Sequence, residues 1–596
     1  MAGSGIMTGF DYAIVIIFLC IIAGAGATIS RLIRSPDDLF VAGRQLTPFV
    51  LAATITATNL SMFHFVGMGG TASQDGVSII WQNWTGDIAL VLSGLFVLPF
   101  MRRLRIRSIP EFLEIRYTRG LRTLVGAFWS MRLCVYLGIL LYIAGSAASE
   151  ITHWNHYIAW LFVFSAVSIL YSTVGGAWAV AIMDSVQFLT MLAGALIMFP
   201  IAMHAAGGLP SMIHYFKSAP GRFHFIDFVP TKGTYNWMFV VAIMLLSLKW
   251  STIDQSILQR AFGAHNPRVG AKGMVLSGLI TTPMAFLWIL PGIAVARLHP
   301  QGFANPDEAI PWLLRTQLPA VATGLLGFVL CGLVAAQISV ITADVNSVAT
   351  LMASDVYRTL RRTEPSQREL IRVVRINSLV CGAVMIATAI LLKMTNAGAV
   401  KANLVLVGIL DMPLFVVTVI YGIAFKRTNW QGAVAGFVVG GIAGIGCYLL
   451  IDPQLFHTFI YSPVSRLSVM ASTWLTGLNN QLSPKQGQLR NLAPIISSGT
   501  ALIVTPIVSL LFAKPPASSL RVRQPADRTD SGEVDDFTLI PHSLIGKLAA
   551  SVVVVSAIVF ILAVISAAWS WPFASPVALG AMVAALLAGV VRVYVK

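Results

Sequence analysis

Charge is scarce in this sequence. Of 596 residues, 11% are Asp, Glu, Lys or Arg, against about a quarter in a soluble globular chain. Hydrophobic residues make up 57%, and the mean hydropathy is +0.79. Apolar stretches of about 20 residues, the length that crosses a hydrocarbon core of roughly 30 Å, recur from end to end. The composition specifies an all-α polytopic membrane protein. It excludes a soluble enzyme, a secreted disulfide scaffold and, despite a pI near 9.9, a nucleic-acid binder. Cysteine is sparse as well. Cys20, Cys134, Cys331, Cys381 and Cys447 fall in apolar stretches without paired spacing and read as small buried hydrophobes, not disulfides or metal ligands. There is no GxxxxGK[ST] loop, no HExxH and no GxSxG, and no polar stretch long enough for a soluble domain. An ATP pump of the Walker type is excluded, and catalysis has no support. Residues 10–29 lack the charged start and small-residue cleavage site of a signal peptide and read as a retained helix.

What is present is a series of spans. Hydropathy predicts fifteen, at about 10–30, 46–72, 77–100, 123–150, 155–174, 178–203, 236–257, 273–296, 319–353, 374–392, 402–425, 429–451, 491–513, 548–569 and 574–591. With the Arg31, Arg34 and Arg44 side taken as cytoplasmic, the segments on that side hold 28 Lys and Arg, the opposite segments hold 10, and Arg132 and Lys249 lie within spans. The positive-inside rule then puts the N-terminus outside and the C-terminus in the cytoplasm. Segments 204–235 and 452–490 are extracytoplasmic with amphipathic pieces. The Pro-containing polar stretch 514–545 reads as a mobile cytoplasmic linker.

Polar residues inside spans are expensive in lipid and mark candidate sites. The second span carries Thr54, Thr56, Thr58, Asn59, Ser61 and His64, followed by Gly67, Gly69 and Gly70. Two readings fit: a discontinuous helix whose unwound carbonyls bind a cation or solute, or a close helix seam of small hydroxyl residues. In the ninth span Ala336, Ser339 and Thr342 or Ala343 share one helical face, suited either to tight packing or to oxygen ligation of a monovalent cation. Asp184, at the cytoplasmic edge of the sixth span, is a cation ligand, a proton carrier or an interfacial acid. Lys249, Asp87 and Asp411 are the other deep charges. Lys249 either pairs with one of the two acids or leaves one to meet a charged solute.

Several segments, in order, resemble motifs of the solute:sodium symporter family, the group that includes the sodium/glucose cotransporters. They are Leu39-Phe-Val-Ala-Gly-Arg44 and Phe65-Val-Gly-Met-Gly-Gly70, then Ser108-Ile-Pro-Glu-Phe-Leu-Glu-Ile-Arg-Tyr117. Further on come Gly175-Gly-Ala-Trp-Ala-Val-Ala-Ile-Met-Asp184-Ser-Val-Gln187, Asp254-Gln-Ser-Ile-Leu-Gln-Arg260, Asn346-Ser-Val-Ala-Thr350 with Asp355-Val-Tyr-Arg358, and Lys426-Arg-Thr-Asn429 with Gly432. The resemblance implies a five-plus-five inverted repeat, LeuT-like, formed by the second to eleventh spans within about fifteen. It divides the chain into an extra helix in 1–38, a transporter core in 39–428, two added helices in 429–513 around the 452–490 loop, the linker 514–547 and a helix pair in 548–596.

The resemblance also implies site residues. The principal sodium site maps onto the carbonyls of Ala57, Leu60 and Ala336 and the hydroxyl of Ser339, with Val340 where the family has a second hydroxyl. A second cation position maps onto Asp184, Ser339 and Thr342, with Ala343 at another hydroxyl position. Solute positions map onto Phe63, His64, Asn83, Ser247 and Trp250, with Val405 where sugar-transporting relatives have Gln and Asp411 beyond it. The implied activity is sodium-driven symport of a small polar organic solute, sugar-like or related, across a plasma or bacterial inner membrane. The alternatives are a proton-coupled symporter of the same fold, with Asp184 or His64 titrating, and a membrane solute sensor signalling through the linker.

Overall fold

The computed structural model describes residues 7–29, 42–395, 409–516 and 541–595 together with Ser519 and Phe537, apart from 105, 153, 155, 220, 231–233, 362, 364, 454–455, 462–464, 466–467, 484–488 and 490–491. Val405 and most of the 514–547 linker lie outside them. The first half contains α1 (Gly9–Ile29), α2 (Pro48–Asn59), α3 (Phe63–Asp75), α4 (Val77–Arg103), α5 (Ile109–Arg116), α6 (Arg119–Thr152), α7 (Tyr157–Ala205) and α8 (Leu209–Ser218). Next come α9 (Trp237–Ile253), α10 (Gln255–Phe262), α11 (Pro267–Leu298), α12 (Ala309–Gln317), α13 (Leu325–Leu360) and α14 (Gln367–Thr395). The remainder is α15 (Met412–Ala424), α16 (Trp430–Ile451), α17 (Val469–Leu482), α18 (Leu492–Leu511), α19 (Leu544–Ser566) and α20 (Ala574–Tyr594).

Among the described residues ten helices are long and apolar enough to cross a bilayer, and two more spans are bent pairs: α2 with α3 at 57°, and α9 with α10 at 41°. Each bent pair opens one five-helix half, as an inverted repeat with two discontinuous helices requires. The fold is all-helical and LeuT-like. One difference from the hydropathy reading is that 155–174 and 178–203 join in a single helical element, α7, of 49 residues. Straight, it would be about 74 Å long. Yet Tyr157 at its start lines a cavity with Asn305 and Asp307, and Arg297 lies beside Gly207 just past its end. The two ends of this element therefore lie closer together than a straight helix of that length allows. Cys20 is the one cysteine on the exposed side of its helix, against the expectation that all five are buried.

Small residues set the helix spacing next to the broken helix. A Cβ added at Gly292 of α11 would lie 2.0 Å from the carbonyl oxygen of Gly69 in α3. Along α16, Gly432, Gly436, Gly440 and Gly444 recur every fourth residue against Ser497, Thr505 and Ser509 of α18, a small-residue seam. The C-terminal pair closes on the core at Gly589, against Val91 of α4. Phe537 packs on the helices: its buried ring lies 4.4 Å from the Arg592 guanidinium and 5.8 Å from that of Arg268, and its carbonyl accepts from Arg103.

A buried charge quartet ties the second broken helix in place. Lys249 Nζ of α9 lies 2.6 Å from Asp411 and 3.1 Å from Asp254, while Arg132 Nη2 of α6 lies 3.0 Å and 3.3 Å from the same two carboxylates. Lys249 thus pairs with Asp411 and not with Asp87. Asp254 sits in extended conformation between α9 and α10, and its other oxygen caps α10 by accepting from the Ser256 N–H and hydroxyl at 3.2 and 2.8 Å. Two positive and two negative charges cancel.

Two outcomes follow from this packing. Gly292→Ala will lower the thermal midpoint in detergent, by about 1–3 kcal/mol of overpacking, whereas Gly446→Ala, with nothing within 4 Å of its added Cβ, leaves it unchanged. Lys249→Met will cost about 3–5 kcal/mol in surfactant-induced unfolding because it leaves two carboxylates on one arginine. The double variant Lys249→Met with Asp411→Asn regains much of that loss, and strictly additive costs contradict the quartet.

Candidate functional site

The site begins where α2 stops. Leu60 leaves helical geometry (φ −94°, ψ 120°), and the chain restarts as a π-helical turn from Phe63. Carbonyls at the end of α2 therefore lose the N–H partners that a continuous helix gives them. One of them is used: the Ser339 hydroxyl of α13 lies 2.8 Å from the Ala57 carbonyl oxygen and 2.9 Å from that of Ala336. Three oxygens from two helices meet there, next to the freed backbone of Leu60. Oxygen donors of this kind suit a hard monovalent cation. Val340 lies beside Ser339 but turns to a neighbouring cavity. The Thr342 hydroxyl is bonded back to its own helix, to Ile338 and Ser339 carbonyls at 2.6 and 3.0 Å.

Asp184 of α7 is fully buried against Thr54, which lies one helix turn before Ala57 on α2. It accepts from the Thr54 hydroxyl at 2.5 Å and faces Arg260 Nη2 of α10 at 3.3 Å. Its second oxygen has no hydrogen-bond partner among the described residues. Thr54 also accepts from Arg260 Nε at 3.0 Å. The structure brings Ala57, Ala336 and Ser339 together, and sets Asp184 and Arg260 beyond them as an ion pair.

A cavity of about 130 Å³ adjoins the cation position. Phe63, His64, Asn83, Ser247 and Trp250, the five solute positions drawn from the family resemblance, all line it, and so do Thr58 and Val340, the chain neighbours of Ala57 and Ser339. The Asn83 side chain is buried, with neither its nitrogen nor its oxygen hydrogen-bonded among the described residues. A buried amide without partners is unfavourable, so this one is poised for a ligand that can both accept and donate. Ser247 shares a hydrogen bond with Thr85 at 2.9 Å. His64 Nδ1 accepts the Ser61 N–H at 3.1 Å at the helix break. An accepting Nδ1 carries no proton, so the ring is neutral with its proton on Nε2.

Above this cavity lies a second, of about 410 Å³, lined by Tyr142, Glu150, Tyr157, Asp307 and Lys393 among others. Ile139, Ile143 and Leu392 form a small buried cluster between the two, with Phe63 and Tyr142 packed on it. Phe63 lines the first, inner cavity and Tyr142 the second, so this apolar cluster touches the walls of both.

Sequence reasoning missed the three charged wall residues. Arg132, Asp254 and Asp344 face the inner cavity. Arg132 stood out only as a charge inside a span, Asp254 only as part of a motif. Asp344, one turn beyond Val340 on α13, was within reach by helical spacing alone.

The profile of the Sodium:solute symporter family matches residues 39–440. Over 510 residues the chain is 27% identical to the sodium/glucose cotransporter of Vibrio parahaemolyticus, covering 80% of this chain and 92% of that one. It is 26% identical to the sodium/glucose cotransporter 1 of Ovis aries over 488 residues, covering 73% and 71%. The structure of a Na+-coupled sialic acid symporter, in a substrate-bound outward-open state, superposes with a TM-score of 0.71 at 20% identity, over 85% of this chain and 98% of that one, and shares the fold. A break in the first core helix that frees carbonyls toward a serine of the eighth, a second break opening the other repeat, and a profile match over two thirds of the chain converge: this protein is a membrane transporter and belongs to the sodium:solute symporter family.

Proposed function

We propose that the chain drives uptake of a small polar organic solute, sugar-like or related, with sodium entering at Ala57, Leu60, Ala336 and Ser339 and the solute held in the inner cavity. The observation that carries this reading is the Ser339 hydroxyl bridging the Ala57 and Ala336 carbonyls beside that cavity. Thr58 and Val340 touch the solute space, while their chain neighbours Ala57 and Ser339 touch the cation. Each ligand therefore favours the same closed arrangement of α2 against α13, which is the physical content of coupling.

The solute is recognised by the unpartnered Asn83 amide, the His64 Nε2–H and the aromatic faces of Phe63 and Trp250. These are few polar groups for many hydroxyls. The apolar layer around Ile139, Ile143 and Leu392 is the outer barrier, and Asp184 with Thr54 and Thr342 lies on the cytoplasmic exit of the cation. The charge bias of the loops supports an N-terminus outside and a C-terminus in the cytoplasm of a plasma or bacterial inner membrane. A proton-driven cycle through His64 is disfavoured, since protonating Nδ1 breaks its bond to the Ser61 N–H at the helix break.

Thermal unfolding of the purified protein in choline, potassium and sodium tests the cation assignment. Sodium at a hundred times its dissociation constant raises stability by about 2.7 kcal/mol. Ser339→Ala abolishes the rise and Asp184→Asn weakens it. A wild-type protein that responds equally to all three cations is not organised in this way. Once the cation is fixed, solutes are screened in sodium for a further rise, and uptake into vesicles by the purified chain separates a transporter from a sensor.

A further inference from the structure

Asp87 is a fully buried carboxylate ten residues into α4, and the sodium and solute sites do not use it. Its partners are two hydroxyls of α11. Thr281 Oγ1 bonds to Asp87 Oδ1, and Thr282 Oγ1 lies 2.8 Å from Asp87 Oδ2. Both hydroxyls also have an acceptor on their own helix: Thr282 Oγ1 is 2.8 Å from the Gly278 carbonyl, and Thr281 Oγ1 is 2.9 Å from that of Ser277.

A hydroxyl has one hydrogen to give. If the carboxylate is ionised, both threonines must turn to it and drop their helix carbonyls, and a full negative charge stays buried on two neutral donors. If the carboxyl is protonated, it donates to one threonine, and that threonine donates to its own carbonyl. The other threonine bonds to the remaining carboxyl oxygen. Each hydrogen then has an acceptor and no charge is buried.

No cation is in place to offset the charge. On the helices packed against α4, Lys249 of α9 is held by Asp254 and Asp411. Arg268 and Lys272 sit at the start of α11, against Phe537 and Tyr594, and Arg592 near the end of α20 also faces Phe537. Arg297, at the far end of α11, bonds to Ser211. Lys547 stands at the start of α19, and the other charges of α4 itself, Arg102 and Arg103, bond at its cytoplasmic end to Ala264 and Phe537 carbonyls. Among the described residues none of these pairs with Asp87. Gly86, its chain neighbour, and Asn83, one turn away on the same face, line the inner cavity and give a proton a route from water.

We propose that Asp87, with Thr281 and Thr282, is a proton-binding site between α4 and α11, occupied at neutral pH and distinct from the sodium site. The proton's presence ties the two helices together without a buried charge. Its release puts a net negative charge one turn from the solute cavity.

The test is infrared difference spectroscopy on the full-length protein in nanodiscs across a pH series. The carbonyl stretch of a protonated carboxylic acid is expected at neutral pH, vanishing on alkalinisation and absent throughout in Asp87→Asn. Thr282→Val, which removes one partner hydroxyl, shifts the same band, so the assignment survives if the Asn variant does not fold. The linkage has a definite sign. The folded protein holds a proton that the unfolded chain has released to water, so the folding equilibrium falls about tenfold per pH unit over the interval between those two titrations. Asp87→Asn removes that slope. A neutral-pH protein with no band assignable to Asp87 overturns the proposal, and so does a band that persists until the protein unfolds. Neither result depends on which cation or solute is transported.

Discussion

The fold turns on four buried charges, two of which border the inner cavity. Arg132, Lys249, Asp254 and Asp411 come from three segments separated by more than a hundred residues each, and their attraction is strong because the surroundings are apolar. Remove one and the remaining charge has no solvent to retreat to, so the group acts as a unit. Its location matters more than its strength. Asp254 occupies the single extended residue between α9 and α10, so the network fixes the angle of the second broken helix and, with it, the wall on which Ser247 and Trp250 stand.

The first broken helix is held differently. Asp75 at the end of α3 is the one Asp, Glu, Lys or Arg in its two halves, and the ion pair beside α2, Arg260 with Asp184, comes from other helices. Backbone contact does the work instead: Gly69 and Gly70 let α3 press directly on α11 and on Pro306, so close that a methyl group cannot enter. The polar run of this span permits two readings, an unwound binding segment or a small-residue seam. The helix is interrupted at Leu60 and Ser61, and the close approach is made by the glycines Gly69 and Gly70, not by the hydroxyl residues.

Much of this was legible in the sequence because membrane insertion imposes long apolar stretches and penalises every polar exception. The spans follow from that penalty, whereas the pair of broken helices and the positions Phe63, His64, Asn83, Ser247 and Trp250, which share one cavity, came from the family resemblance. What could not be read was partnership. Lys249 had several acids within conceivable reach, and only packing chose Asp411 and Asp254 over Asp87. Arg132 could not be placed on the cavity wall because an arginine within a span is equally at home in an ion pair. The glycine repeat of α16 was visible as letters, but its partner serines and threonines lie about sixty residues further on and share no local pattern with it.

The buried ring of Phe537 has a bearing on how the protein is made. A chain emerging from the ribosome folds from its N-terminal end, so α4 and α11 are in the membrane long before the linker appears. The ring touches Arg268, at the start of α11, and Arg592, almost the last turn of α20, while its carbonyl meets Arg103 at the end of α4. That junction can form only after nearly every residue has been synthesised. This edge of the transporter therefore closes late in assembly, through a residue that belongs to none of the helices it joins.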